Sequence, residues 1–159
     1  MNKELLLKVF GAVLTEQMEG FQRSAKSAHA EATAEDNKAE SKYDTRALEA
    51  SYIAEGQTRA AIEVEEALNI LMSFQMRSFE KGDKIALGAL VEIEGTAGPE
   101  WYFLGPCAGG TELCVDGMQV TVLTENSPLG SVLIGKKRGE KGTLKRGKSE
   151  WAFRIANVW

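Results

Sequence analysis

The sequence predicts an α+β chain: an N-terminal antiparallel helical hairpin over residues 1–80, then a small antiparallel β-sheet domain with one short helix over residues 81–159. Three observations predict it. The stretch before Glu80 has no proline and only Gly11, Gly20 and Gly56 as glycines. Its apolar residues recur with the spacing of a helical stripe. From Glu80-Lys81-Gly82-Asp83 onward, short apolar/polar alternations separated by glycine turns replace that spacing. A chain of 159 residues accommodates one ordinary domain or two small ones.

The first helix runs from Asn2 to about Ala34. Leu7, Leu14, Phe21 and Ala28 recur every seven residues, with Phe10, Gln17 and Ser24 at the intermediate position, so the stripe weakens toward the C-terminal end. The second runs from Ala39 to about Phe79. Tyr43, Ala47, Ala50, Ala54, Gln57, Ala61, Val64, Leu68 and Leu71 follow alternating steps of four and three. A helix of about 40 residues is roughly 60 Å long and needs a partner for its stripe. The first helix, joined by a short connection, is that partner. Alanines at one end of the seam let two backbones approach closely.

The connection Glu35-Asp36-Asn37-Lys38-Ala39-Glu40-Ser41-Lys42-Tyr43 is the tip of this hairpin, and it admits two readings. In one, Asn37 caps the second helix with Glu40 as its third-position acid, and Glu35 and Asp36 keep the turn solvated. In the other, carboxylates on a protruding tip form a hard-oxygen site that helps hold a magnesium ion already partly coordinated by another protein. His29 is the only histidine, and without a neighbouring His or Cys it builds no zinc site. A solvated helix face is its reading.

In the second half, Ile85-Ala86-Leu87, Leu90–Ile93, Trp101–Leu104, Met118–Leu123 and Trp151–Ile155 read as strands. Gly98-Pro99, Gly109-Gly110, Asp116-Gly117 and Gly147-Lys148 read as turns. Ser127-Pro128 opens a short apolar helix that stops at Gly135. Residues Gly130 to Lys137 match most of a phosphate-binding loop, but the final Ser/Thr is missing and the middle is apolar where exposed amides are needed. Lys136, Lys137, Arg138, Lys141, Lys145, Arg146 and Lys148 form a basic cluster, read either as an RNA or phosphate contact or as lysines on a surface hairpin. Cys107 and Cys114 flank a turn and read as ordinary partly buried thiols.

Charge excludes a protein that coats nucleic acid wholesale, since the formal net charge is −4. The asymmetry is internal: residues 1–80 hold 9 Lys/Arg against 14 Asp/Glu, and residues 81–159 hold 10 against 9. No apolar run spans a bilayer, and Leu5-Leu6-Leu7 is too short for a signal-peptide core. Two cysteines make no disulfide framework. The expectation is a monomeric cytoplasmic protein with reduced thiols and no membrane contact.

Two stretches resemble the bacterial Gre family of transcript cleavage factors. Thr124-Glu-Asn-Ser-Pro-Leu-Gly-Ser-Val-Leu-Ile-Gly-Lys-Lys-Arg-Gly139 is similar to that family's C-terminal motif, in which an S-P segment leads through a short apolar helix to G-K and a glycine turn. Asp36 through Tyr43, with Glu49 and Glu55-Gly56, is similar to its tip and descending helix. The resemblance implies an FKBP-like C-terminal domain docked on the rim of the secondary channel of RNA polymerase, with Ser127, Pro128, Leu129 and Gly130 as partner-contact residues. It implies a coiled-coil hairpin passing down that channel to the active site. It also implies tip carboxylates, here Asp36, Glu40 and Glu35, that share the catalytic magnesium with the polymerase beside the 3′ end of the nascent RNA. The protein is then an accessory factor, not itself an enzyme, and Asp36 and Glu40 carry the catalytic role.

The tip departs from the family pattern, which reads approximately D-x-x-E-N-A-E-Y. Asp36 and Tyr43 keep the outer spacing, but Ala39 stands at the second acid and Glu40 follows one residue later. One residue turns a helical side chain by roughly 100°. Either the turn is wound differently and Glu40 takes the role, with Glu35 and Asp44 as substitutes, or the tip occupies the channel without supporting cleavage. Outside this family, a peptidyl-prolyl isomerase with a helical appendage and a hairpin scaffold are the competing classes.

Overall fold

The computed structural model describes residues 3–34, 45–95, 98–147 and 149–159. They fall in two compact units, Gly11–Asn69, and Met1–Phe10 together with Ile70–Trp159. By this division the first turns of the first helix and the last turn of the second belong with the sheet, whereas the sequence pattern changes at residues 80 and 81.

The helical unit holds most of α1 (Lys3–Thr33) and α2 (Arg46–Ser73). On α2 the seam expected from the sequence is the least exposed row, from Ala47 through Ala50, Ala54, Gln57, Ala61 and Val64 to Leu68. On α1 the row is Leu14, Met18, Phe21, Ala25, Ala28 and Ala32. Met18 and Ala25 thus replace the expected Gln17 and Ser24, which are exposed; apolar area goes inward and the amide and hydroxyl stay in water. The pair is antiparallel. Gln22 lines a groove with Ala61 and Glu65, and His29 lines one with Ser51 and Ala54, so α1 numbers rise as α2 numbers fall. Within the unit, Ala34 and Thr45 therefore lie at the opposite end from Gly11 and Asn69.

The sheet unit has β1 (Leu90–Gly95), β2 (Gly98–Leu104), β3 (Glu112–Val115), β4 (Met118–Leu123), α3 (Pro128–Leu133), β5 (Lys141–Arg146) and β6 (Ser149–Val158). The six strands are ordered β3-β4-β2-β1-β6-β5. Period-two alternation sorts the side chains. Val91, Ile93, Tyr102, Leu104, Phe153 and Ile155 join Leu129 and Leu133 of α3 in one core. On the other face Leu90, Phe103, Val120 and Val122 are buried, and the rings of Phe10 and Phe74 each meet Phe103 edge-on at 6.5 Å.

Several elements differ from the sequence expectation, each for a local reason. The sheet is not wholly antiparallel, because β4 returns beside β2 in parallel after the β3–β4 hairpin. That hairpin turns on Asp116 and Gly117, both at positive φ, which is what an Asp-Gly two-residue turn provides. Ile85–Leu87 is not a strand. It makes one backbone pair with the turn after α3, Ile85 N–H to Lys136 O and Gly135 N–H to Ile85 O, both at 2.8 Å, before the chain turns at Gly88. α2 ends at Ser73 instead of near Phe79, which frees Phe74 to pack on Phe103. β3 and β5 are strands that the sequence did not single out; β5 and β6 do form the lysine-bearing hairpin. Among the described residues, no helix is long and apolar enough to cross a membrane.

Candidate functional site

The Ser-Pro segment explains itself in packing terms. Ser127 sits in extended backbone as the N-cap of α3, with Pro128 in the first turn. Its Oγ accepts from Gly130 N–H at 3.1 Å and donates to Thr124 O at 2.7 Å. A Cβ on Gly130 would stand 2.1 Å from Thr124 O, so only glycine fits there. Leu129 and Gly130 are buried, Ser127 is half-buried and Pro128 is exposed. Of the four expected partner-contact residues, Pro128 is the one fully exposed; Leu129 packs in the sheet core, and Ser127 and Gly130 close the turn that starts α3. Replacing Ser127 with Ala is expected to destabilise the sheet unit by about 1 kcal/mol, read as a lowered urea midpoint. An unchanged midpoint contradicts this role.

The expected tip residues Glu35, Asp36 and Glu40, with Asp44, lie outside the described residues. Among the described residues, no group of three His, Cys, Asp or Glu side chains is placed to hold a metal ion. Thr45, just before α2, donates from its hydroxyl to Glu49 at 2.8 Å, so Glu49 braces the start of α2. His29 is exposed and, with Ala25, Ala54 and Ile62 among others, lines an open groove of about 660 Å³.

The first half of the region matching a phosphate-binding loop lies in α3, with Leu133 fully buried, and beyond it the amides of Gly135, Lys136 and Lys137 donate to Ile85 O, Leu133 O and the Glu140 carboxylate. In the basic cluster, Arg138 Nε donates to Ala156 O at 2.9 Å. Lys148 and the Arg146 side chain lie outside what is described. Neither Cys107, which is buried, nor Cys114, which is exposed, is in a disulfide, and burial pushes the Cys107 thiol up, keeping it protonated.

Sequence reasoning missed a clamp on Lys3. Its ammonium donates to Arg77 O at 2.9 Å and Gly88 O at 3.2 Å, and it stands 4.7 Å from the centre of the Phe79 ring. Arg77 covers the same ring and pairs loosely with Asp83. No local signal links residue 3 to residues 77 and 88. Burial lowers the Lys3 amine to about 8, against an ordinary value of 10.5; the carbonyls and the ring oppose that direction without cancelling it. The unfolded chain then binds more protons between these two values, so stability rises with pH across that window. Relative to Lys3→Met, the wild-type melting temperature should climb from pH 8 to 10.5. Parallel curves contradict the assignment.

The described residues define a two-part α+β chain: an antiparallel helix pair whose connecting end is acidic in sequence, and a six-stranded sheet domain built around a Ser-Pro-capped helix. Among solved structures, it is similar to the Gfh1 protein (GreA factor homolog 1) of Thermus thermophilus, at 21% identity over 94% of both chains with a TM-score of 0.39. It is also similar to Thermus aquaticus Gfh1, at 22% identity over 92% of both chains with a TM-score of 0.40. A further structure of the transcription factor Gfh1 is 23% identical over 95% of this chain and 94% of that one, with a TM-score of 0.40. Similarity at these values assigns no function. No protein-family profile and no curated protein matches the chain.

Proposed function

We propose that this chain is a Gre-like accessory factor that binds RNA polymerase through its secondary channel and stimulates cleavage of backtracked RNA. The observation that carries the reading is the segment from Thr124 to Gly139, which resembles the Gre C-terminal motif and whose Ser127, Pro128 and Gly130 each have a defined part in one turn-and-helix unit. A long helix pair suits the same reading, since α1 alone runs 31 residues. Asp36 and Glu40, with Glu35 beside them, would supply anionic oxygens to a magnesium ion held mainly by the polymerase, and such an ion would make a bound water more acidic. Two or three solvated carboxylates form an incomplete shell, so the free protein holds magnesium poorly. Positioning is the chain's own contribution.

A second reading is a non-cleaving channel regulator. Ala39 at the position of the family's second acid favours it. Co-purification with core RNA polymerase, followed by RNA cleavage in stalled, backtracked complexes, tests both. Stimulated cleavage supports the first reading. Inhibition without cleavage supports the second, and failure to bind polymerase removes both.

A further inference from the structure

The sheet ends on β5 at one side and on β3, only four residues long, at the other. The hydrogen-bond phase of β5 follows from its first contacts with β6. Ile155 N–H donates to Glu140 O at 2.9 Å, and Gly139 N–H donates to Ile155 O at 2.8 Å. With Lys141 opposite Arg154, Gly142 opposite Phe153 and Thr143 opposite Ala152, the ladder bonds fall on Gly142, Leu144 and Arg146. The N–H and C=O groups of Lys141, Thr143 and Lys145 therefore point away from the sheet. Among the described residues they make no hydrogen bond to another element.

Helix α3 stands beside this edge. Val132 and Lys136 on one side, and Lys141, Gly142 and Thr143 on the other, line a cleft of about 260 Å³. Lys141, Thr143 and Lys145 alternate along the strand, so their side chains share one face, and all three are exposed. Among the described residues, Lys136, Lys141 and Lys145 have no ion-pair partner.

An occupant must satisfy donors and acceptors in alternation and bring negative charge. A phosphodiester strand answers the N–H groups but sets its oxygens against the carbonyls. A second copy of β5 would place lysine against lysine, the arrangement by which edge lysines deter self-pairing. An extended peptide satisfies both kinds of backbone group, and acids at its alternate positions meet Lys141 and Lys145, with Lys136 available at the cleft. We infer that the β5 edge is a docking site for an extended acidic segment of a partner protein, which adds to the sheet as a seventh strand alongside α3.

The test uses the full chain, isotope-labelled for amide spectra, and a capped peptide alternating glutamate and valine. Controls are the same peptide with lysine for glutamate and a short single-stranded uridine oligonucleotide. Saturable binding of the acidic peptide is expected, with the largest amide shifts at Lys141, Thr143 and Lys145. Thr143→Pro removes an outward N–H that β6 does not use, so the ladder survives while affinity falls by at least about tenfold. The double change Lys141→Glu with Lys145→Glu should weaken binding by a similar factor and serves if the proline variant misfolds. Absence of saturable binding, equal binding of the lysine peptide, or affinity unchanged in both variants overturns the inference. Tighter binding of the oligonucleotide at the same amides also overturns it, assigning the edge to nucleic acid.

Discussion

Backtracked polymerase complexes supplied with a chain carrying Asp36→Ala and Glu40→Ala should cleave their RNA about 10²- to 10³-fold more slowly than with the wild type, at saturating factor. The size follows from what the tip carboxylates are proposed to do. Asp36 and Glu40 would help hold a magnesium ion and orient groups around it, and a preorganised charge in such a site is worth far more than one on an open surface. On the proposed reading, in which the sheet domain docks on the polymerase, the loss should fall on the rate and spare affinity. Single variants divide the role. Asp36 keeps the family spacing and should account for most of the loss; Glu40 contributes to the extent that the turn is wound to bring it round. If Glu40→Ala has no effect while Asp36→Ala abolishes cleavage, Glu35 or Asp44 is the second acid. If neither variant alters a measurable cleavage rate, the tip has no such role.

The second large effect is on folding. Phe103 is fully buried and is met edge-on by Phe10 from the first turns of α1 and by Phe74 from the segment after α2. Its backbone sits between Leu90 and Val122, so a cavity there is walled by three strands and closes poorly. Phe103→Ala is expected to cost about 3–5 kcal/mol, a large part of the roughly 5–15 kcal/mol that holds a domain folded. The tryptophans Trp101, Trp151 and Trp159 all lie in the sheet unit. Their fluorescence therefore follows that unit in urea, separately from helix content. A shift corresponding to less than about 1 kcal/mol would mean that the aromatic contacts are not what ties these segments to the sheet.

The helices and the seam of α2 were legible because a row of mostly alanine and other apolar residues at steps of three and four is a local signal. The seam of α1 was half legible. Its expected intermediate positions, Gln17 and Ser24, are exposed, and Met18 and Ala25 one residue later lie inward. Four of the six strands were read from alternation. β3 was missed because four residues carry too little period to register, and Ile85–Leu87 was taken for a strand because its apolar content satisfies a core contact without a ladder. The parallel pairing of β2 and β4 is a property of chain return, not of either segment. The Ser127-Pro128 helix start and Gly135 stop were legible to the residue, since capping chemistry is local. The Lys3 clamp was not, because its acceptors lie at Arg77 and Gly88. For the tip, the sequence supplies the residue types and their spacing, and its assignment remains with function.

The most direct measurement places a photo-crosslinking phenylalanine at position 37, between the two proposed carboxylates, in a complex with core RNA polymerase. Irradiation should join the chain to polymerase segments around the catalytic magnesium, and excess unlabelled protein should compete the product away. Crosslinks confined to the outer surface of the enzyme, or no complex at all, would contradict a hairpin that carries its acids into that active centre.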